Sequence, residues 1–401
     1  MLIESEPHYR QPLLHTPFHQ RMREFSQLDS FIPWAGYSTV DVFTSLEQEY
    51  FSIRNGASLY DLTPMVKYRI AGPDATRYLD RLLTRSIARL AAGRVAYAIW
   101  CDDRGHLIED GTVFRFGECE YRLCTAERQL DWLLESGIGF DVEITEVTAD
   151  IAALALQGPC ACWVLQTMGV SGVEALKPFE FQRYRFGAGT PVLISRTGFT
   201  GDLGYELWVD PADAERLWDA LMEAGRIRTI RPVGSRALNV ARLEAGFLLP
   251  NVDFVSSAHT LRNGTARSAL ELDLAWLVDF GKGHFTGRRA LLGESHRKAR
   301  RRLAGLDVAG TKPAHEALLY ADRAGRRQVG SVTSAAWSPT CKRNIALAML
   351  DAPHFEKGRQ VWAEIYINRE LACERRMVPA RVVERPFFAP ARRRATPPGE
   401  F

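Results

Sequence analysis

The run Ser195-Arg-Thr-Gly-Phe-Thr-Gly-Asp-Leu-Gly-Tyr-Glu-Leu-Trp208 sets three glycines at a spacing of three ahead of a carboxylate on an apolar strand. Val192–Ile194 and Tyr205–Val209 are rich in branched and aromatic residues, so the glycines predict a hairpin loop between two strands. A phosphate cradle would need a helix directly after the glycines, and none is indicated. Gly198, Gly201 and Gly204 then serve tight turns and close approach of the backbone to a flat ligand. Glu206 offers two acceptor oxygens to a pair of ring N–H donors, although a plain glycine-rich hairpin with a surface carboxylate has the same pattern.

A second group lies upstream. Gly105-His-Leu-Ile-Glu-Asp-Gly-Thr-Val-Phe114 places adjacent carboxylates, Glu109 and Asp110, at the entrance to a strand. Successive strand residues point to opposite faces, so only one of them can face a pocket. There it can accept a proton, orient an amine or offset a developing cation; a solvated turn is the plain alternative. Tyr97 lies on the preceding strand, where it brings a hydroxyl near that turn or simply fills core. In the helical pattern Ala237–Gly246, Asn239 and Arg242 fall one turn apart on one face. Arg242 there clamps a carboxylate bidentately, or forms a surface ion pair with Glu244 or another acid.

The bulk composition excludes other chemistries. The 401 residues allow two or three domains, and 51 Lys and Arg against 48 Asp and Glu is too balanced for a dedicated nucleic-acid binder. The basic runs Arg297–Arg302 and Arg392–Arg394 read as solvated linker and tail. No apolar run approaches the roughly 20 residues of a membrane span, and Met1-Leu-Ile-Glu-Ser-Glu-Pro7 lacks the marks of a secretory leader. Seven cysteines without a CxxC pair fit a reducing cytoplasm. The nine histidines form no HExxH, HxH or Cys/His cluster, so no metal site is expected, and His106 alone reads as structural or exposed. No GxSxG elbow supports a serine hydrolase.

These residues need elements to hold them. Val66–Leu79 and Ala153–Leu165 share a pattern of strand, Gly-Pro turn and amphipathic helix, with Gly72 and Gly158 standing 86 residues apart. The repeat predicts two related α+β units rather than one doubly wound sheet. Asp74 strengthens the first helix start. Asp210-Pro211 opens another helix over Ala212–Ala224, with Leu217, Trp218 and Leu221 on one face and Gly225 as its stop. Short alternating segments from Leu303 to Phe387 predict a separate β domain.

Eight landmarks in order strengthen the reading: Trp34-Ala-Gly-Tyr37, Leu59-Tyr-Asp-Leu62, Asp103–Asp110, Ala155-Leu-Gln-Gly-Pro159, Ser195–Glu206, Arg242-Leu-Glu-Ala-Gly246, Phe285–Leu291 and Thr333-Ser334 to Ser338-Pro-Thr340. Together they resemble the folate-binding T-protein (aminomethyltransferase) family from about Thr16 to Phe387. The resemblance implies an α+β fold, a three-domain cloverleaf of the T-protein type with ferredoxin-like α+β units and a C-terminal β-barrel domain. Residues 1–60 with 152–285 would form a discontinuous folate-binding unit and 61–151 the unit carrying the acid. Residues 286–302 would be a linker, 303–390 the β domain and 391–401 a disordered tail. It implies tetrahydrofolate as cofactor, its pterin buried centrally and its glutamyl tail directed outward. Asp110 would then be the functional acid beside the folate nitrogens that receive the one-carbon unit. Glu206 would pair with the pterin N–H groups, with Tyr97 nearby and Arg242 fixing pterin or tail. Phe199, where the family often has tyrosine, would keep the stacking and lose a hydroxyl.

The departures cluster on the donor side. Arg122-Leu-Cys-Thr-Ala-Glu-Arg128 replaces a longer Val-Asn-Ala-Ala-Asn-type loop, Asn239 replaces Asp, Thr63-Pro-Met-Val66 replaces Ser-His-Met-Gly, and Pro250 replaces Tyr. The expected activity is therefore a tetrahydrofolate-dependent methyltransferase, closer to small-molecule demethylase relatives than to the glycine-cleavage T-protein. Folate N5 would attack the methyl carbon of a small methylated donor, such as dimethylsulfoniopropionate or a methoxylated aromatic. Tyr37, Tyr60 and His106 are the candidate proton donors to the leaving group. The alternative is aminomethyl transfer from a lipoyl carrier protein. A non-catalytic folate-binding regulator is the lesser alternative, because its Lys-Gly-Cys-Tyr-x-Gly-Gln-Glu signature is absent near Leu248–Phe254.

Overall fold

Two antiparallel-rich sheets face each other across a core that a closed barrel completes. The computed structural model describes residues 12–260 and 264–397; Met1–Pro7, read above for a leader, and the last four residues of the expected tail lie outside them. The first sheet has six strands in the order Phe181–Phe186, Thr190–Ser195, Gly204–Val209, Ala152–Gln157, Ser58–Asp61 and Arg231–Pro232, so it draws on two separate stretches of chain. Every residue of Gly204–Val209 is buried, which is why that strand is continuously apolar around Glu206. Helices Ala161–Thr167 and Ala214–Gly225 cover its outer face, packing Val164, Leu217, Trp218 and Leu221 over Leu156, Ile194 and Leu207. The Asp210 carboxylate accepts from Ala212 N at 2.9 Å, and a single 3-10 turn precedes the helix expected there.

The second sheet orders Val95–Cys101, Leu107–Arg115, Glu120–Thr125, Val66–Ala71 and Glu143–Glu146. Both Gly-Pro turns recur as read: Gly72 and Gly158 take φ of 136° and 122°, and a Cβ on either would fall 2.6 or 2.5 Å from a facing carbonyl oxygen. Asp74 does not cap its helix; its carboxylate takes Arg77 and the Asp141 amide instead. The third unit is the expected β-barrel, closed by Arg301–Val308 pairing with both Arg343–Asp351 and Ala372–Val383. Apolar residues of all three units meet in one cluster, among them Tyr60, Ala155 and Trp208, then Ile99 and Phe114, then Ile345 and Leu347.

Two expectations are corrected. The stretch read as linker, 286–302, is built: helix Arg288–Ser295 buries Leu291, and Arg301 and Arg302 open the first barrel strand, Arg301 bridging Asp351 at 2.8 Å. The tail is not free, at least through Ala395. Arg392 grips the buried Asp202 with Nε–Oδ1 at 2.6 Å and reaches the Arg54 carbonyl, while Arg196 donates to the Ala395 carbonyl. An arginine aimed at a buried carboxylate outweighs the local composition that reads as tail. Among the described residues no helix is long and apolar enough to cross a membrane, and no His, Cys, Asp and Glu group could hold a metal.

Candidate functional site

Strand register builds the site. Pairing brings Ser195, Glu206, Ala155 and Tyr60 into one row across the six-stranded sheet. Ala155, the small residue of the row, stands between Glu206 and Tyr60. Opposite it, Tyr97, Thr112, Cys124 and Lys67 form a row across the five-stranded sheet. Asp110 sits two residues from Thr112 on the same face, about 7 Å along the strand. Phe114 meets Trp208 edge-on at 5.4 Å and closes one end of the gap between the walls.

Of the adjacent acids, Asp110 is the one on this face. An irregularity in pairing, with Trp100 opposite Glu109 but Cys101 opposite Leu107, sets the phase of the strand. Tyr97 donates to Asp110 Oδ2 at 2.5 Å, and burial raises the Asp110 carboxyl against the opposing effect of that bond. Glu109 is buried on the other face, where Gln129 Nε2 donates to it at 3.4 Å and the Asp110 amide at 3.0 Å. Burial first and the Asp110 charge second push the Glu109 carboxyl far above the carboxylate range. The reading of the pair as a solvated turn is overturned.

Glu206 accepts from Thr197 Oγ1 at 2.6 Å and from Ser195 Oγ at 3.5 Å, both on Oε2. The other oxygen, Oε1, has no protein donor among the described residues. Burial raises this carboxyl to about 7, so it is poised to respond to whatever N–H group approaches. The glycines of the hairpin make room for neighbouring side chains, Gly201 for Ala245 and the other two for Gln157. A Cβ on Gly198 or Gly204 would lie 2.1 or 2.2 Å from the Gln157 carboxamide. That amide ties the hairpin together, donating to the Thr197 and Tyr205 carbonyls and accepting from Thr200.

The remaining expected residues divide. Phe199 stacks on Phe247 at 5.5 Å, with planes 19° apart, so the ring is packed on protein. Arg242 is buried and already engaged: Asp253 at 2.5 Å, the Phe247 carbonyl at 3.0 Å, Asn239 Oδ1 at 2.8 Å and Ser334 Oγ at 2.7 Å. The clamp read for it is thus filled by Asp253, a buried acid rather than a surface one, and Ser334 makes it a fastening to the barrel. Tyr60 contacts Ser235 Oγ at 3.2 Å, and burial raises its hydroxyl to about 12. Burial likewise raises Tyr37, which pairs with Leu14 at the edge hairpin. His106 stands 3.8 Å from Asp102 in the turn before the acid strand, its backbone bridged to Ser268, away from the Tyr97–Asp110 pair.

Several site residues escaped the sequence reading. Ser195 and Thr197 hold Glu206, and hairpin register, which puts residue 195 opposite 206, could have exposed them. Trp34 lies 6.2 Å from the Tyr60 ring. Lys67 is fully buried, holds the Thr63 and Met65 carbonyls at 2.7 and 2.9 Å, and is lowered to about 8 by burial. No pattern in the chain singles out that lysine.

Comparison with known proteins gives a consistent picture. Residues 18–282 match the GCVT N-terminal domain, and residues 301–389 the glycine cleavage T-protein C-terminal barrel domain. An aminomethyltransferase of Caldanaerobacter subterraneus subsp. tengcongensis is 31% identical over 362 residues, covering 89% of this chain and 91% of its own. One of Thermotoga petrophila is 31% identical over 367 residues, covering 90% and 95%. The crystal structure of the glycine cleavage system aminomethyltransferase T from Bartonella henselae shares the fold, with a TM-score of 0.81 over 94% of this chain and 98% of that one at 24% identity.

Proposed function

Since the chain belongs to the glycine cleavage T-protein (aminomethyltransferase) family, we propose that it passes a one-carbon unit to tetrahydrofolate by aminomethyl transfer from a lipoyl-bearing carrier protein. The observation that carries this reading is the pair of facing walls, one with the Tyr97–Asp110 pair and one with Glu206 beside the small Ala155. The name shared by the relatives supports aminomethyl transfer over the demethylation expected from the sequence departures.

Tetrahydrofolate, when bound, supplies the flat pterin edge and the acceptor nitrogen. The donor-free oxygen of Glu206 would accept the N–H groups of the pterin edge, while Thr197 and Ser195 hold the other oxygen in place. Asp110, oriented by the Tyr97 hydroxyl, offsets positive charge that develops at the acceptor nitrogen. Arg242 acts at one remove, holding the end of its helix to Asp253 and Ser334.

A specific observation favours a second reading, demethylation of a small donor. Asn239 is neutral where the family has an acid, and its carbonyl is used by Arg242 Nε. The experiment is turnover with tetrahydrofolate and a lipoylated, aminomethyl-loaded carrier. Ammonia release with 5,10-methylene product supports aminomethyl transfer. A 5-methyl product without ammonia, from methylated sulfonium, amine or aryl ether donors, would replace it with demethylation.

A further inference from the structure

A second site lies at the junction of the two sheets, away from Asp110. Arg122 projects from strand Glu120–Thr125 with its guanidinium carbon 5.0 Å from the Phe116 ring centre and 5.5 Å from that of Trp208. Its NH1 nitrogen is sealed from solvent and has no hydrogen-bond acceptor. Arg183, on the edge strand of the other sheet, lines the same cleft of about 230 Å³. Among the described residues neither arginine makes an ion pair or a side-chain hydrogen bond. Burial holds the Arg122 guanidinium below its usual range, and the like charge of Arg183 adds to this against the opposing effects of Cys124 and Glu120.

Two neighbouring cations without a direct ion pair, one of them largely desolvated, are costly, and an anion between them relieves that cost. A guanidinium beside two rings offers a planar, bidentate acceptor its fork of N–H donors. Much of the lining is apolar, from Ile151, Leu193 and Val209 as well as the two rings. Asp150 and Asp210 also border the cleft, the latter already capping Ala212. We propose that this cleft binds a small organic carboxylate with a flat apolar body, its carboxylate bidentate on Arg122 and shared with Arg183. Trp208 connects the cleft to the folate wall, since its indole N–H donates to Ser195 Oγ, which also reaches Glu206. The site stands independently of the proposed donor.

The test is calorimetric titration of the full chain with benzoate as probe. Saturable binding is expected, weakened about tenfold or more by Arg122→Met and by Arg183→Ser, the cost of one charge-assisted contact. Arg183 is exposed on an edge strand, so its variant keeps the fold if the Arg122 variant does not. Acetate and inorganic phosphate are expected to bind more weakly than benzoate, and tetrahydrofolate not to displace it. Absence of saturable binding, unchanged affinity in the Arg183 variant, phosphate binding as tight as benzoate, or displacement by tetrahydrofolate would each overturn the proposal.

Discussion

Two carboxyl groups on neighbouring residues, one of them fully buried, do not both ionise freely, and that constraint governs Asp110 and Glu109. Because Glu109 is held protonated by burial and by the Asp110 charge, Glu109→Gln is expected to keep turnover within a few-fold at neutral pH. Asp110→Asn keeps the shape but removes the charge. It should lower kcat by roughly 10²–10³-fold with folate affinity little changed, checked by steady-state rates and folate titration. Glu206 makes a pH prediction. A carboxyl raised to about 7 binds its proton more tightly in the folded chain, so folding cost grows as pH rises from the ordinary carboxylate range towards 7. Glu206→Gln should therefore stabilise the free protein above about pH 7, by on the order of 1–3 kcal/mol in thermal unfolding. Folate affinity of the wild type should rise between about pH 6 and 8 as Glu206 ionises, and be flat in the variant. At this scale the residue types were legible: Glu206, Asp110 and Tyr97 carry their chemistry in their names. The partners were not, because Thr197, Ser195 and Gln129 become partners only through register and burial.

The glycine hairpin shows how an element can be read correctly for an incomplete reason. Its strands and loop follow from branched residues flanking glycines, yet Gly198 and Gly204 answer to Gln157 on the neighbouring strand and Gly201 to Ala245. Gly204→Ala should force that carboxamide aside, cost about 1–3 kcal/mol in stability and weaken folate binding through Glu206. Adding Gln157→Ala opens room for the new Cβ, so the double variant should recover part of the affinity; a fully additive loss in folate titration would contradict this account. Arg242 teaches the converse. Helical spacing put it beside Asn239, which the structure bears out at 2.8 Å, but spacing says nothing of Asp253 or Ser334, which take its remaining donors.

The whole molecule is fastened by buried ion networks between its units. Arg54 bridges Glu244 at 2.6 Å and Asp202 at 3.2 Å, while Glu244 also accepts from Tyr50 and from Ser338 of the barrel. Removing one partner strands a buried charge, so Arg54→Met should cost about 3–5 kcal/mol, read as a lowered unfolding midpoint. Deleting residues 391–401 would release Asp202 from Arg392 and should destabilise the chain, where a free tail would leave the midpoint unchanged. The landmarks Arg242–Gly246, Thr333-Ser334 and Ser338-Pro-Thr340 converge on these fastenings. Local physics is written along the chain: hydrophobic period, Gly-Pro turns, helix starts and the acid before a strand determine the elements, the two related units and the β-barrel. Which acid faces the gap, which arginine is engaged and which is left without an anion, and what the glycines accommodate were decided by tertiary structure, because each depends on residues that register and packing bring together from far apart in sequence.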